Sequence, residues 1–317
     1  MAKASNEFAA QNEIDVEKPE KVIPSLCEGF VLGRRRSSYG FTNCILYALG
    51  VGASQDPLDA TDLQYTYENH ENFTPLPTFG CVIPEMQLTF DGLQRCPGLP
   101  DFNPMMLLHG EHKLILPAPL PVNEEVEAVA KIKNVFDKKS GALVIIQTDV
   151  YSIATGSLIC VNEASLFIRG IGGFGGLSGS KQKKPIQIPA RPPDHIFTKK
   201  TVPNQALIYR LCGDYNPLHV DPEMAALGGF NSPILHGLCF FGIAGLGVVR
   251  TACRGDANSI KSIEARFSNA VIPGQTLKVE IWEESGDCLF RVINMDTQKE
   301  CVSNGLATLR NSSASKL

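Results

Sequence analysis

The chain has 317 residues, a formal net charge of −4 and an apolar content of 44%. Such a length suits two domains of ordinary size. The small negative charge gives no reason to propose nucleic acid as a partner, and no charge-free apolar run reaches the eighteen or more residues expected of a membrane span.

The first half begins with a charged extension and continues as a strand-rich domain. Residues 1–40 lack the apolar core of a signal peptide, so we expect an N-terminal extension and assign it no function. A first domain is expected over residues 41–170, with a turn at Lys139-Ser140-Gly141. Its strand-like runs are rich in β-branched residues and predict an antiparallel meander over 125–137, 142–152 and 157–169.

A Gly-rich and then Lys-rich segment separates the two halves, and we place a linker at residues 171–190. The Gly run lacks the Walker spacing and no helix-forming segment follows it, so it does not predict a nucleotide site. No dinucleotide-binding G-x-G-x-x-G lies between a strand and a helix, and we expect no redox cofactor.

The second domain, expected over residues 191–311, contains the candidate catalytic turn. Asp214, Asn216 and His219 lie within six residues of turn-forming chain. A carboxylate and an imidazole at this spacing can share one water molecule and move protons. The alternative is that Asp214 forms only an Asx-turn and that His219 is a satisfied core histidine.

A long apolar run, residues 238–252, follows Leu235-His236-Gly237 and predicts a buried helix. Gly237 would lie in its first turn, where unpaired N–H groups favour a developing negative charge. Close helix packing is the alternative role for Gly237, and His236 is interpreted as structural. Further strand-like runs follow at 276–284, 288–295 and 300–310.

The two halves repeat one pattern. Tyr47 to Asp59 echoes Tyr209 to Asp221, and Leu108-His109-Gly110 echoes Leu235-His236-Gly237. The first copy lacks the acid and base pairing, and a Pro- and aromatic-rich insertion at 62–103 separates its two motifs. We interpret the chain as a duplicated unit in which one half kept the catalyst.

The pattern Y-R-L-C-G-D-Y-N-P-L-H followed by P-I-L-H-G-L-C-F-F-G closely resembles the MaoC-like (R)-specific 2-enoyl-CoA hydratases, called hydratase 2. This family includes the hydratase domain of the peroxisomal multifunctional β-oxidation enzyme. The resemblance covers about residues 40 to 310. It implies an α+β double hot-dog fold, with two antiparallel sheets that each wrap around a long central helix, and hydration of trans-2-enoyl-CoA to (3R)-3-hydroxyacyl-CoA. The insertion would then make room for a long acyl chain.

The resemblance also implies roles for single residues. Asp214 and His219 would activate the water, Asn216 would orient them, and the Gly237 amide would stabilise the thioester oxygen. The implied substrate contacts are His109, Gly110, Lys138, Tyr215, Pro217, Leu218 and Phe267.

Two other functions remain open at this point. An acyl-CoA thioesterase can use the same fold, and a non-catalytic acyl-CoA binding protein is possible. Asp214 and His219 supply two ligands, which is too few for a metal site, so none is expected. Ten irregularly spaced cysteines without a C-x-x-C pair predict reduced, mostly buried thiols.

The expected partners are an acyl-CoA substrate, a second copy in a homodimer, and the peroxisomal import receptor. The tail, residues 312–317, ends in Ser315-Lys316-Leu317, the tripeptide that this receptor recognises. We therefore expect a peroxisomal location.

Overall fold

The computed structural model describes residues 18–84, 86–179 and 186–310. The targeting tripeptide Ser315-Lys316-Leu317 lies outside these ranges. The strands are β1 (Val31–Tyr39), β2 (Leu107–Ile115), β3 (Glu124–Asp137), β4 (Gly141–Ser152), β5 (Leu158–Arg169), β6 (His195–Lys200), β7 (Ile260–Phe267), β8 (Thr276–Glu284), β9 (Asp287–Asn294) and β10 (Lys299–Leu309). The helices are α1 (Pro24–Cys27), α2 (Phe41–Gly50), α3 (Leu63–Thr66), α4 (Met86–Arg95), α5 (Gln205–Tyr209), α6 (Pro222–Leu227) and α7 (Gly237–Arg250).

The strands of the described residues form one antiparallel sheet in the order β1-β3-β4-β5-β2-β7-β10-β9-β8-β6. The first five come from residues 31–169 and the last five from residues 195–309. Strand β1 lies within residues 1–40, the expected extension, and it pairs with β3 as an edge strand of the sheet. Strands β2 and β7 join the halves, with Glu111 opposite Arg266 and Ile115 opposite Ser262. The expected α+β antiparallel architecture is confirmed, and the two expected sheets are continuous because each supplies one edge strand to this pairing.

The second half has the expected long buried helix, α7. Its residues from Leu238 to Val249 are all buried. It lies in a core that includes Tyr47 and Phe79 from the first half and Phe290 from the second. A helix that is apolar on every side is stable only when it is enclosed in this way.

The first half differs from the expectation of a long central helix, since α2 and α4 have ten residues each. The short helical turn Pro77–Cys81, which belongs to the insertion, contacts β2, β5 and α7 instead. Prolines on both sides explain the difference, because Pro77 occupies the first position of this turn and Pro84 prevents a regular helix from continuing after it. The insertion is therefore packed into the core, with Leu76, Phe79 and Cys81 buried.

The described part of the linker folds back on the turn between β3 and β4. The Asp137 carboxylate accepts hydrogen bonds from the backbone N–H groups of Gly173 and Gly175, at 2.9 and 2.8 Å. The ammonium of Lys138 donates to the Ser178 carbonyl at 2.6 Å. The start of the linker thus covers one end of the first half-sheet.

Two further expectations concern the thiols and the membrane. All ten cysteines are free, and only Cys212 is not fully buried. Within the described ranges, no helix has the length and apolar character needed to cross a membrane.

Candidate active site

The loop that carries Asp214 is shaped by local turn chemistry. Gly213 has a φ of +117°, which ends the preceding helical turn in a conformation that favours glycine. The backbone N–H of Asn216 donates to the Asp214 carboxylate at 3.3 Å, and the Asn216 side chain accepts from the Leu218 N–H at 3.1 Å. Asp214 therefore does form an Asx-turn, which leaves its other carboxylate oxygen for a ligand.

His219 is held in one tautomer. Its Nδ1–H donates to the backbone carbonyl of Ile234 at 2.8 Å. Because a carbonyl oxygen can only accept, the Nε2 atom of a neutral His219 ring must carry the lone pair. His219 is buried, with 9% of the residue's surface exposed, so it is both a satisfied core histidine and a candidate base.

His236 contributes more than the sequence indicated. Its ring stacks on His219, with centroids 3.7 Å apart and planes 27° apart. Its Nε2–H donates to the backbone carbonyl of Asp214 at 3.2 Å. The L-H-G motif does not predict the hydrogen bond to Asp214, because this bond links residues 22 positions apart that only the folded chain brings together.

Asp214, His219 and His236 each offer one side-chain ligand atom, and these atoms lie within 4.8 Å of one another. Two acceptors at such a separation can both reach one water oxygen with hydrogen bonds of about 2.8 Å. A zinc ion would need to lie in the plane of each ligating ring at about 2.0–2.1 Å from nitrogen. The stacked rings direct their lone pairs along nearly parallel planes, so the residues fit a shared water better than a metal ion.

Burial dominates the protonation of this group. It raises the pKa of the Asp214 carboxyl, and the neighbouring His219 partly offsets the rise. Burial also lowers the pKa of His219, against the opposing effect of Asp214, and lowers the pKa of His236 strongly. Both imidazoles are therefore neutral near pH 7, as a base that binds water requires.

Gly237 begins α7, and this helix has no side-chain cap. The first N–H groups of a helix lack partners within the helix, so they are available to a ligand. A Cβ atom at Gly237 would meet the Phe267 ring at 3.5 Å, an ordinary contact distance. Close packing therefore does not by itself require glycine here, which favours the anion-binding interpretation of this position.

The two halves meet beside Gly237. The Phe267 ring, at the end of β7, makes an edge contact with His109 of β2 at 5.2 Å between centroids. His109 and Gly110 are half-buried. The structure thus brings His109, Phe267 and Gly237 together, although His109 and Phe267 are 158 positions apart in the sequence.

The other predicted contacts are placed less centrally. Tyr215 and Pro217 are exposed on the loop of Asp214, and the Arg210 guanidinium lies over the Tyr215 ring at 5.2 Å. Leu218 faces Gly228, where an added Cβ would meet its Cδ1 at 2.9 Å. Lys138 lies at the turn after β3, engaged by Ser178, and makes no contact with Asp214 or His219 among the described residues.

Two family models match this chain. Residues 37–170 match the MFE-2 hydratase 2 N-terminal domain, and residues 184–304 match the MaoC like domain.

Three curated relatives are similar over most of the chain. Peroxisomal multifunctional enzyme type 2 of Mus musculus is 40% identical over 93% of this chain and 40% of its own length. Probable enoyl-CoA hydratase 2 of Dictyostelium discoideum is 45% identical over 75% of this chain and 79% of its own length. Enoyl-CoA hydratase 2, peroxisomal, of Arabidopsis thaliana is 38% identical, with coverages of 85% and 88%. The chain thus spans less than half of the mouse protein and most of the other two.

Solved structures agree on the fold. A MaoC-like dehydratase from Phytophthora capsici is 34% identical, with a TM-score of 0.80 over 90% of this chain and 96% of that one. A Mycobacterium tuberculosis protein described as having a double hotdog fold is 11% identical, with a TM-score of 0.53 and coverages of 90% and 97%. This second likeness concerns the fold alone, and it confirms the expected double hot-dog architecture.

Proposed function

This chain belongs to the MaoC-like hydratase 2 family, and we propose that it is a hydro-lyase that converts trans-2-enoyl-CoA to (3R)-3-hydroxyacyl-CoA in peroxisomal fatty acid β-oxidation. The proposal rests on one observation. The Asp214 carboxylate and the lone pair of His219 lie where they can share one water molecule, close to the first turn of α7, which has no side-chain cap. The names of the relatives support the same reaction and location.

The proposed chemistry needs three groups around the substrate. A water held between Asp214 and His219 loses a proton to this pair while its oxygen bonds to C3. The pair returns a proton to C2 on the same face, so the addition is syn and the protein ends in its starting state. Asn216 orients the pair through its two hydrogen bonds within the loop.

The negative charge that develops on the thioester oxygen is assigned to the N–H of Gly237. A preorganised donor of this kind commonly contributes about 2.7–4 kcal/mol to transition-state stabilisation. The dipole of α7 acts in the same direction, because its N-terminal end carries a partial positive charge.

We assign acyl and CoA binding mainly to the first domain and catalysis to the second. The contact between His109 and Phe267 supports a substrate path across the junction of β2 and β7. The proposed substrate contacts remain His109, Gly110, Lys138, Tyr215, Pro217, Leu218 and Phe267. Lys138 would reach a CoA phosphate by exchanging its bond to Ser178.

The reaction as proposed needs no cofactor, because the thioester carbonyl already activates the double bond and the side chains supply the proton transfers. A homodimer, a peroxisomal location and binding of the import receptor through Ser315-Lys316-Leu317 complete the proposal. Sedimentation of the purified protein tests whether it is a dimer. Microscopy of a fluorescent fusion with and without the tripeptide tests the peroxisomal location.

The deciding assay follows loss of trans-2-decenoyl-CoA in EDTA-treated protein and resolves the product by chiral chromatography. We expect (3R)-3-hydroxydecanoyl-CoA from the wild type and at least a hundredfold loss of kcat in Asp214→Asn, which removes the charged oxygen with little change in shape. His195→Gln, at a half-buried histidine of β6 paired with Glu283, is the control. Free CoA as the product would show a thioesterase, and unchanged substrate would favour a binding protein.

A further inference from the structure

A series of hydrogen-bonded polar groups leads from the half-buried His109 in the substrate region into the interior of the first half. His109 and His112 approach through Nε2 and Nδ1 at 3.3 Å. The Nε2 atom of His112 lies 3.0 Å from the Asn162 side-chain oxygen, and the Asn162 amide nitrogen donates to the Gly80 carbonyl at 3.0 Å. His112 and Asn162 are 3% and 4% exposed, so water does not satisfy these atoms.

The Gly80 carbonyl, at the end of this series, determines the direction of every hydrogen bond in it. The Gly80 carbonyl can only accept, so the Asn162 amide nitrogen must face it and the Asn162 oxygen must accept from His112. His112 therefore carries its proton on Nε2 and accepts through Nδ1. His109 must then donate through Nε2, which leaves a lone pair on its Nδ1 atom.

This ordering requires neutral rings, and the surroundings favour them. Burial lowers the pKa of His109 to about 3, with a further lowering by His112. Burial also lowers the pKa of His112, to about 4. The competing acceptor is the backbone carbonyl of Glu111, which favours a protonated His109 ring. If His109 donated to Glu111 through Nδ1, the Asn162 amide would have to turn its oxygen towards the Gly80 carbonyl.

We propose that Asn162 and His112 are positioning residues that fix His109 as a hydrogen-bond acceptor, through Nδ1, for an N–H or O–H donor of the bound thioester. This inference rests on the proposed function. Two donors of such a ligand lie close enough to the thioester: the N–H of the pantetheine amide nearest the sulfur and the 3-hydroxyl of the hydrated product. The Phe267 ring, which contacts both His109 and the position of Gly237, places this acceptor next to the thioester site.

The structural part is tested by 15N NMR of histidine-labelled full-length protein. The chain has six histidines, so His109→Phe and His112→Phe assign the two signals directly. We expect both rings to be neutral at pH 7, each with its proton on Nε2 and none on Nδ1. A proton on Nδ1 of His109 would overturn the proposal, whether or not the protein hydrates any substrate.

The functional part is tested by comparing two thioesters of trans-2-decenoic acid with pantetheine. One has the natural amide nearest the sulfur. In the other, the N–H of that amide is replaced by an oxygen atom, which gives an ester. For the wild type we expect KM to be about three- to tenfold higher with the ester, the effect of one neutral hydrogen bond. In His109→Phe and His112→Phe this ratio should fall to about one, while His195→Gln should keep it.

The reverse reaction distinguishes the two donors. The amide and ester substrates behave alike if the donor is the product hydroxyl. In that case both variants should raise KM for 3-hydroxydecanoyl-CoA three- to tenfold more than they raise KM for the enoyl substrate. This result would keep the acceptor role of His109. If neither donor is sensed, His109 is not an acceptor for the ligand and the proposal fails. Circular dichroism of each variant excludes loss of fold, and a wild type with no hydratase activity would refute the proposed function separately.

Discussion

Asp214 shows how one residue can satisfy a turn and still serve chemistry. Its carboxylate accepts the Asn216 N–H, as an ordinary Asx-turn does, and a side-chain oxygen also lies within 4.8 Å of a nitrogen of His219. The two interpretations that the sequence left open are therefore compatible. A carboxylate has about four acceptor sites, so one hydrogen bond to the backbone orients it without using its capacity.

The protonation of Asp214 and His219 predicts where activity is lost in acid. A lowered pKa keeps His219 neutral below its usual value of about 6.5, and a raised pKa lets Asp214 take up a proton above its usual value of about 3.9. We expect kcat/KM to be flat near pH 7 and to fall in acid, because His219 takes up its proton below its usual pKa and Asp214 takes up its proton above its usual pKa. Measuring kcat/KM from pH 4 to 9 checks this, and an acid limb centred above pH 7 would contradict it.

The amide of Gly237 can be removed without removing the residue. Gly237→Pro deletes the N–H at the first helical position, where proline is tolerated, and His236 has φ −56° and ψ 135°, which suits a residue before proline. We expect kcat to fall about a hundred- to a thousandfold. Gly237→Ala keeps the N–H and is the matched control, with a much smaller loss. Equal losses in both variants would show that bulk, not the donor, matters.

At the scale of elements, glycines allow α7 to lie close to its neighbours. A Cβ atom at Gly242 would fall 2.6 Å from Val51, and one at Gly245 would fall 2.7 Å from Thr78. Both neighbours belong to the first half. The sequence predicted the helix from its apolar content, but the glycines' partners could not be identified because they lie more than 160 residues away.

This packing predicts the stability of a single variant. Gly242→Ala should gain up to about 1 kcal/mol from helix propensity and lose about 1–3 kcal/mol from overpacking against Val51 and Tyr47. We therefore expect a lower free energy of unfolding and a lower Tm. Gly237→Ala, in the same helix but with contacts at 3.5 Å, should not lower either value. Denaturant unfolding of both proteins gives the comparison, and a stabilised Gly242→Ala would show that α7 can shift away.

At the scale of the whole molecule, the two halves share a core and a sheet. Strand β7 pairs with β2, and α7 packs on Tyr47 and Thr78. A charged contact also joins the halves, since Arg250 at the end of α7 binds Asp59 at 2.6 Å. Each half supplies surface that the other must cover.

The second half should therefore not fold alone. A fragment of residues 186–310 would expose one side of α7 and the free edge of β7, and such an edge promotes aggregation. We expect it to be insoluble when expressed by itself and soluble when co-expressed with residues 18–179. Solubility and size-exclusion chromatography provide the measurement. A soluble 186–310 fragment with cooperative thermal unfolding would contradict this prediction.

The local features of the fold follow from short patterns of residues. Asp214 forms the Asx-turn that its position indicated, and the apolar run forms most of α7, because each depends on residues a few positions apart. The duplicated motifs and the resemblance to hydratase 2 also came from residue patterns alone.

The contacts between distant residues could be identified only in the folded chain. These are the joining of two half-sheets through β2 and β7, the packed turn Pro77–Cys81 in place of a long helix, and the stacking of His236 on His219. The hydrogen-bonded series from His109 to Gly80 belongs to the same class. Pairing and packing between distant segments depend on the whole core being filled at once, and no local pattern of residues specifies such a partner.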